Sequence, residues 1–278
     1  MPPLSYPKLE KPELGAIVTR YISFAQFIWI ATHHTLPLTR VDLFQDRFDP
    51  FEGSAPQSVI EQQVAAIATR DRTYQQLQMS VEKRTDATFG EQWAGMTSGE
   101  KWERITARRK NRTYSTHASC WRWGPEPDGM WRLYCGEKEG VALQTTFARL
   151  EQSLEQALET EPLLVGKIQY GDYEAIPPFI EDLDHVMYKR EAFAFEQEVR
   201  ILRMDENHYL KLCNGTTNEK LPDIVPISWN IKEAIDSILV SPYAGTWYFD
   251  AVRSVVDCTD AELAARVRWS KLRQSPAF

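Results

Sequence analysis

The sequence predicts an α+β fold: a mixed, mostly antiparallel central sheet with flanking helices and a helical insertion at about 56–113. Strand-like and helical runs follow one another irregularly, which argues against a doubly wound α/β sheet. Residues 56–113 turn polar, charged and helix-forming, with Ile60, Val64 and Ile67 at the i, i+4, i+7 spacing of one helical face. No linker is long enough to split the 278 residues, so a single domain is expected, its sheet-containing body drawn from 16–55 and 114–278.

The first fifteen residues, interrupted by prolines, read as an extended arm. Residues 16–21 suit a short strand. Ser23 and Gln26 then form a capping box that opens a helix through Phe27, Ile28 and Ile30. A second strand is expected at 35–41 and a loop at 44–53. Within the insertion, a capping box from Thr97 to Glu100 precedes Trp102 and Ile105. Beyond it, strands at 114–121 and 140–145 bracket a short helix at 129–135. A helix at 147–158 and a strand near 163–171 follow. The remainder reads as a helix at 178–193, a strand at 198–203 and a strand pair near 223–228 and 236–241. Two helices close the chain, the last starting at Thr259 and Glu262.

Composition narrows the class of protein. A net charge of −7 argues against wholesale coating of a polyanion. The aromatic load (9 Trp, 11 Tyr, 12 Phe) serves either a packed core or stacking surfaces for planar ligands. Cys120, Cys135, Cys213 and Cys258 show no C-x-x-C spacing, and the N-terminus has no apolar targeting core. No apolar run reaches the roughly 18 residues of a membrane span. A reduced cytoplasmic protein, away from membranes, is expected.

Four motifs carry chemistry. In F-Q-D-R-F-D-P-F-E-G, Asp46, Asp49 and Glu52 crowd together between Phe44, Phe48 and Phe51, either to grip a ligand or simply to form an anchored turn. On the strand S-T-H-A-S-C-W, alternation places Ser115, His117 and Ser119 on one face and Thr116, Ala118 and Cys120 on the other. Trp121, Trp123, Trp131 and Tyr134, with Arg122 and Arg132 among them, suit a planar, phosphate-bearing ligand or an aromatic core. A Cys120–His117 thiol pair lacks a third, orienting group. In Y-K-R-E-A-F-A-F-E-Q-E-V-R, a strand at 196–202 would align Glu196, Glu198 and Arg200 on one face, with Lys189 just upstream. Such carboxylates either work on a substrate or form an ion-pair ladder. The basic run at 101–112 could contact phosphates of nucleic acid, but reads better as a solvated helix face. P-loop, dinucleotide-binding, zincin and nucleophile-elbow motifs are all absent, and no metal is predicted.

At these motifs the chain resembles the bacterial domain-of-unknown-function family 2971. The matching stretches are R-Y near the start (Arg20-Tyr21), F-D-P-F-E-G, S-C-W…G-M-W-R-L-Y…E-G-V-A-L-Q, K-R-E-A-F-A-F-E-Q-E-V-R, and the closing S-I-L-V-S-P…W…W-S-K-L-R-Q-S-P. They cover most of the chain outside 56–113 and imply a bacterial origin. A more distant likeness is to the ADP-ribosyltransferase superfamily, whose members place an Arg, a Ser-Thr and a Glu-x-Glu on successive strands. Arg20, Ser115-Thr116 and Glu196-x-Glu198 stand in that order, although Ser115-Thr116 continues as His-Ala.

This likeness implies cleavage of the nicotinamide–ribose bond of NAD through an oxocarbenium-like transition state. Glu198 would steady the cation, Glu196 would orient an acceptor, and Arg20 would bind phosphate. Ser115 and Thr116 would complete the cofactor-binding set, with Trp121, Trp131 or Tyr134 stacking on a ring. The expectation is an NAD-using enzyme of bacterial conflict, antiphage defence or stress, acting on a macromolecular acceptor. Two readings compete: a metal-dependent nuclease using Asp46, Asp49, Glu52, Glu196 and Glu198, and a non-catalytic nucleotide- or protein-binding module.

Overall fold

Alternation of side chains fixes which residues each strand buries, and the buried faces fix where the helices lie. The computed structural model describes residues 9–44, 96–135, 138–171 and 186–273, together with Ser58, Glu61, Gln62 and Ala65. The strands are β1 (Ile17–Ile22), β2 (Thr35–Arg40), β3 (Thr116–Trp123), β4 (Val141–Thr146), β5 (Leu163–Lys167), β6 (Gln169–Gly171), β7 (Tyr188–Arg190), β8 (Glu198–Met204), β9 (Ile224–Ser228), β10 (Ser237–Val240) and β11 (Val267–Trp269). The helices are α1 (Phe24–His33), α2 (Ser98–Tyr114), α3 (Asp128–Cys135), α4 (Phe147–Ser153), α5 (Glu155–Leu158), α6 (Glu206–Cys213), α7 (Ile231–Ala234), α8 (Thr246–Asp257) and α9 (Ala261–Ala264).

The fold is α+β. A nine-stranded sheet runs β11-β10-β4-β1-β3-β2-β9, with β8 on β3 and β5 on β8. Every pairing in it is antiparallel except β10 with β11, and β6 and β7 form a separate parallel ribbon. β3 gives one whole edge to β8, from Thr116↔Met204 to Arg122↔Glu198. Its other edge is shared: His117 and Ala118 face β2, while Arg122 and Trp123 face β1. Arg20 bridges this fork, donating to Ser119 Oγ and, at 3.3 Å, to the Pro37 carbonyl.

The main core lies on one face of the sheet. Val18, Ile22, Leu36, Leu38, Trp121 and Leu143 meet Phe27 and Ile30 of α1, Phe147 and Leu150 of α4, and Tyr248, Val252 and Val256 of α8. The opposite face carries two smaller clusters. One joins Ala118, Leu202 and Met204 to Ile168, Val186 and Met187. The other joins Tyr21, Ala142 and Leu239 to Met130, Trp131 and Cys135 of α3.

Local signals held where capping decides. Ser23 with Gln26 and Thr97 with Glu100 both form reciprocal capping boxes. Other expectations require correction. The last helix is capped by Asp260, whose Oδ1 accepts from Glu262 and Leu263, instead of by Thr259. The helix at 147–158 breaks at Leu154 into α4 and α5. The segments at 223–228 and 236–241 are both strands but do not pair: β9 adds to β2, and β10 to β4, with α7 between them in sequence. Of the helix expected at 178–193, Tyr188–Arg190 is strand and Glu191–Glu196 a 3-10 turn, because Val186, Met187 and Tyr188 are buried consecutively instead of at helical spacing. Residues 178–185 lie outside the described residues, as does most of the insertion. The strand expected from 114 starts at Thr116, since α2 runs to Tyr114 and Ser115 is its C-cap.

The basic run at 101–112 lies on α2 and packs on α6, which the sequence reading missed. Arg112 pairs with Glu206 at 2.6 Å and lies over the Tyr209 ring at 3.6 Å, and Arg108 donates to the Tyr209 hydroxyl at 3.1 Å. At least these two arginines serve packing.

Leu143 is fully buried at the centre of the main core. Leu143→Ala should therefore cost about 2–5 kcal/mol, read by urea unfolding of the full chain.

Candidate functional site

Between the two smaller clusters a cavity of about 440 Å³ opens on the face of the sheet away from the main core. Its floor is built by alternation: Thr19 and Tyr21 of β1, Cys120 and Arg122 of β3, and Glu198 and Arg200 of β8. Met130, Leu133 and Tyr134 of α3 form one wall. Met130, Trp131 and Cys135 turn inward, which leaves Leu133 and Tyr134 exposed near the mouth. Leu43 and Phe44, following β2, and Lys189, Phe193 and Glu196 supply the rest.

The charged groups form one chain. Lys189 Nζ lies 2.6 Å from Glu196 Oε2 and 2.8 Å from Glu198 Oε2, while Arg200 Nε lies 2.6 Å from Glu198 Oε1. Arg200 also donates to the Val186 carbonyl and sits 5.3 Å from the centre of the Phe44 ring. Glu196, Glu198, Lys189 and Arg200 are all buried. Burial alone would raise the pKa of Glu198, but Arg200 and Lys189 outweigh it and hold the carboxyl at about 2. Glu196 moves the other way, because burial exceeds the pull of Lys189 and raises its pKa. Its Oε1 is buried without an aligned partner, and the Tyr134 hydroxyl lies beside it. Burial pushes the Cys120 thiol up to about 12, so it is neutral near pH 7.

One backbone feature assembles this chain. Glu196 does not share a strand with Glu198: it ends the 3-10 turn, and β8 begins only at Glu198. Gln197 between them is left-handed, at φ 43 and ψ 55, a conformation that costs a non-glycine residue about 1–2 kcal/mol. It is held by Arg122, whose Nη2 donates to Gln197 Oε1 at 2.6 Å, and by the Trp123 amide, which donates to its carbonyl at 2.9 Å. The turn carries Glu196 back towards Lys189.

No protein-family model, curated protein or solved structure matches the chain. The site is therefore read from its own chemistry.

Of the expected residues, Glu196, Glu198, Lys189, Arg200 and Tyr134 converge on the cavity. Arg20 and Trp121 also belong to its lining, where β1 and β2 part from β3. Strand alternation nonetheless turns both side chains towards Ser119 on the opposite face. Trp121 packs edge-on against Trp229, and fully buried Trp131 packs edge-on against Tyr21 and donates to Glu126 at 2.6 Å. Neither indole offers a free stacking face, whereas the Tyr134 ring is exposed. Ser115 does not join the strand face, for its hydroxyl returns to the Asn111 carbonyl at 2.8 Å. Thr116 is fully buried and lies outside the cavity lining. His117 faces away from Cys120 and contacts the Pro222 carbonyl at 2.8 Å, so the two form no thiol pair. Asp46, Asp49 and Glu52 lie outside the described residues. The site list drawn from sequence omitted Tyr21, Arg122 and Phe44, though Arg122 and Phe44 stood within its motifs. Tyr21 stood in the sequence reading only as the second residue of the R-Y match.

Removing one partner of a buried ion pair leaves the others uncompensated. Glu198→Gln should cost about 3–5 kcal/mol at pH 7 in urea unfolding. Since the folded-state carboxyl titrates at about 2 against an ordinary 4.5, its contribution is complete above about pH 4.5 and disappears as the pH falls towards 2. The gap between wild type and variant should close over that range.

Proposed function

We propose that the chain is an enzyme that takes a nucleotide-type small molecule into this cavity and breaks or transfers a glycosidic bond in it, as an ADP-ribosyltransferase-like protein does with NAD. The supporting observation is the pair of carboxylates, Glu196 and Glu198, joined through Lys189 at the cavity and shifted in opposite directions. Carboxyl groups whose environments push their proton affinities apart divide the labour of acid–base chemistry.

On this reading Glu198 stays ionised and supplies fixed negative charge near a cationic transition state. Both its oxygens are engaged by Arg200 and Lys189, so presenting that charge to the substrate requires one of these ion pairs to open on binding. Glu196, with one oxygen unaligned to any partner, transfers the proton to or from the leaving group or the acceptor. Tyr134 at the mouth and Phe44 and Phe193 on the walls accommodate a planar ring. The phosphate-binding role implied for Arg20 passes to another cation, since Arg20 is committed to Ser119 and Pro37.

The same ion pairing favours a second reading. A Glu198 neutralised on both oxygens suits a cavity that binds a nucleotide without turning it over.

Incubation of the full chain with NAD labelled on the adenosine side, with cell lysate as acceptor source, should release nicotinamide and label a product. Glu196→Gln keeps a hydrogen bond to Lys189 and should lower that release about 100-fold or more while leaving the chain folded. A ligand-dependent rise in melting temperature without nicotinamide release would replace the catalytic reading by the binding one.

A further inference from the structure

Among the described residues, the charges of the cavity lining do not balance. Arg122, Lys189 and Arg200 stand at it against Glu196 and Glu198, with Arg20 directly behind the sheet, and all six groups are at least nine-tenths buried. Lys189 and Arg200 account for the two carboxylates. Among the described residues, the other two cations have only neutral hydrogen-bond partners. Arg20 donates to Ser119 and the Pro37 carbonyl, and Arg122 to the Trp123 carbonyl, the Pro125 carbonyl and the Gln197 side chain. Buried cations without counter-ions are costly unless something else brings the negative charge.

Their positions differ. Arg20 turns to the far face, so it contributes field to the cavity without reaching into it. Arg122 stands on the floor, opposite Glu198 in the β3–β8 register and opposite Thr19 in the β1–β3 register. Its Nε and the nearby Tyr21 hydroxyl are two buried donors with no hydrogen-bond partner, and both residues line the cavity. Burial keeps the Tyr21 hydroxyl protonated, so it remains a donor.

From this we infer that the cavity recognises a phosphorylated, multiply anionic ligand, with its phosphoryl oxygens seated against Arg122 and Tyr21. Guanidinium N–H and phenol O–H groups suit phosphoryl oxygens, and the surplus positive field selects against uncharged nucleosides. Both donors are buried in this structure, so the inference requires the Arg122 and Tyr21 side chains to readjust when the ligand binds. This deepens the nucleotide reading of the cavity and rests on it, but it makes no use of the glycosidic chemistry.

Binding to the full chain, measured by calorimetry and thermal shift at fixed ionic strength, tests the inference with inorganic pyrophosphate and adenosine as probes. Pyrophosphate should bind and raise the melting temperature, whereas adenosine should bind at least tenfold more weakly. Arg122→Gln should weaken pyrophosphate at least tenfold and Arg122→Lys by less, while Arg132→Gln, an exposed arginine outside the cavity lining, should leave it within about twofold. If Arg122→Gln does not fold, Arg122→Lys and the two probes on wild type decide. No pyrophosphate binding at millimolar concentration, adenosine binding equally well, or affinity indifferent to both Arg122 variants overturns the inference. Pyrophosphate binding without nicotinamide release removes the catalytic reading and leaves this one. Nicotinamide release from a chain that does not bind pyrophosphate does the reverse.

Discussion

Lys189, wedged between two glutamates beneath a cavity, is the constraint around which the second face of the sheet is arranged. Its ammonium group lies within 3 Å of both carboxylates, and Arg200 closes the chain from the other side of Glu198. Removing charges from water costs several kcal/mol per ion, which mutual attraction offsets only when geometry and remaining hydrogen bonds are good. The surroundings supply them. The Val186 carbonyl accepts a hydrogen bond from Arg200, and the Tyr170 hydroxyl accepts from the Glu198 amide at 2.8 Å. The β6–β7 ribbon exists in this context: it carries Lys189 on one strand and Tyr170 on the other, directly paired in the ladder. Glycine at 171 belongs to the same arrangement, because a Cβ there would fall 1.7 Å from the Tyr188 hydroxyl.

A second dependence runs through Gln197. Were the chain extended from 196 onward, Glu196 and Glu198 would project side by side from one strand face. The left-handed residue instead ends a 3-10 turn and folds Glu196 back, at a conformational cost that Arg122 and Trp123 offset by hydrogen bonds to Gln197. Backbone strain retained where surroundings over-determine it is a feature of functional sites. Arg122 therefore has two roles in one position. It fixes the turn that sets the carboxylate geometry, and it presents positive charge to the same cavity.

Much of this was legible in the sequence wherever the determinant is local. The capping boxes at Ser23 and Thr97 depend on four neighbouring residues, and both formed as read. The mixed, mostly antiparallel sheet followed from irregular alternation of strand and helix patterns. The convergence of Glu196, Glu198, Lys189 and Arg200 was legible as composition, since all four fall within twelve residues of one motif. What failed depends on partners distant in the chain. Tyr188–Arg190 resembles helix until β6 recruits it, and α2 outruns its expected end because α6 packs against it. Arg20 alternates correctly on its strand, but only the pairing with β3 decides that its face is the main core. The tryptophans were ambiguous between core and platform, and burial assigned Trp121 and Trp131 to the core.

The ion cluster has an obvious structural alternative, a self-contained salt-bridge network, and its charge balance bears directly on that alternative. A network serving stability alone has no reason to leave a surplus of one sign, since each unpaired buried charge adds desolvation cost without Coulombic return. Replacing such clusters by apolar residues is often neutral or stabilising by about 1–4 kcal/mol, so stability does not account for keeping one. Here Lys189 and Arg200 already neutralise both glutamates, yet among the described residues Arg20 and Arg122 remain beside the same cavity with only neutral partners. The surplus sits at a void wide enough for a small molecule, walled by Phe44, Phe193 and Tyr134. The inferred phosphorylated ligand would bring negative charge to that surplus and a planar group to those rings.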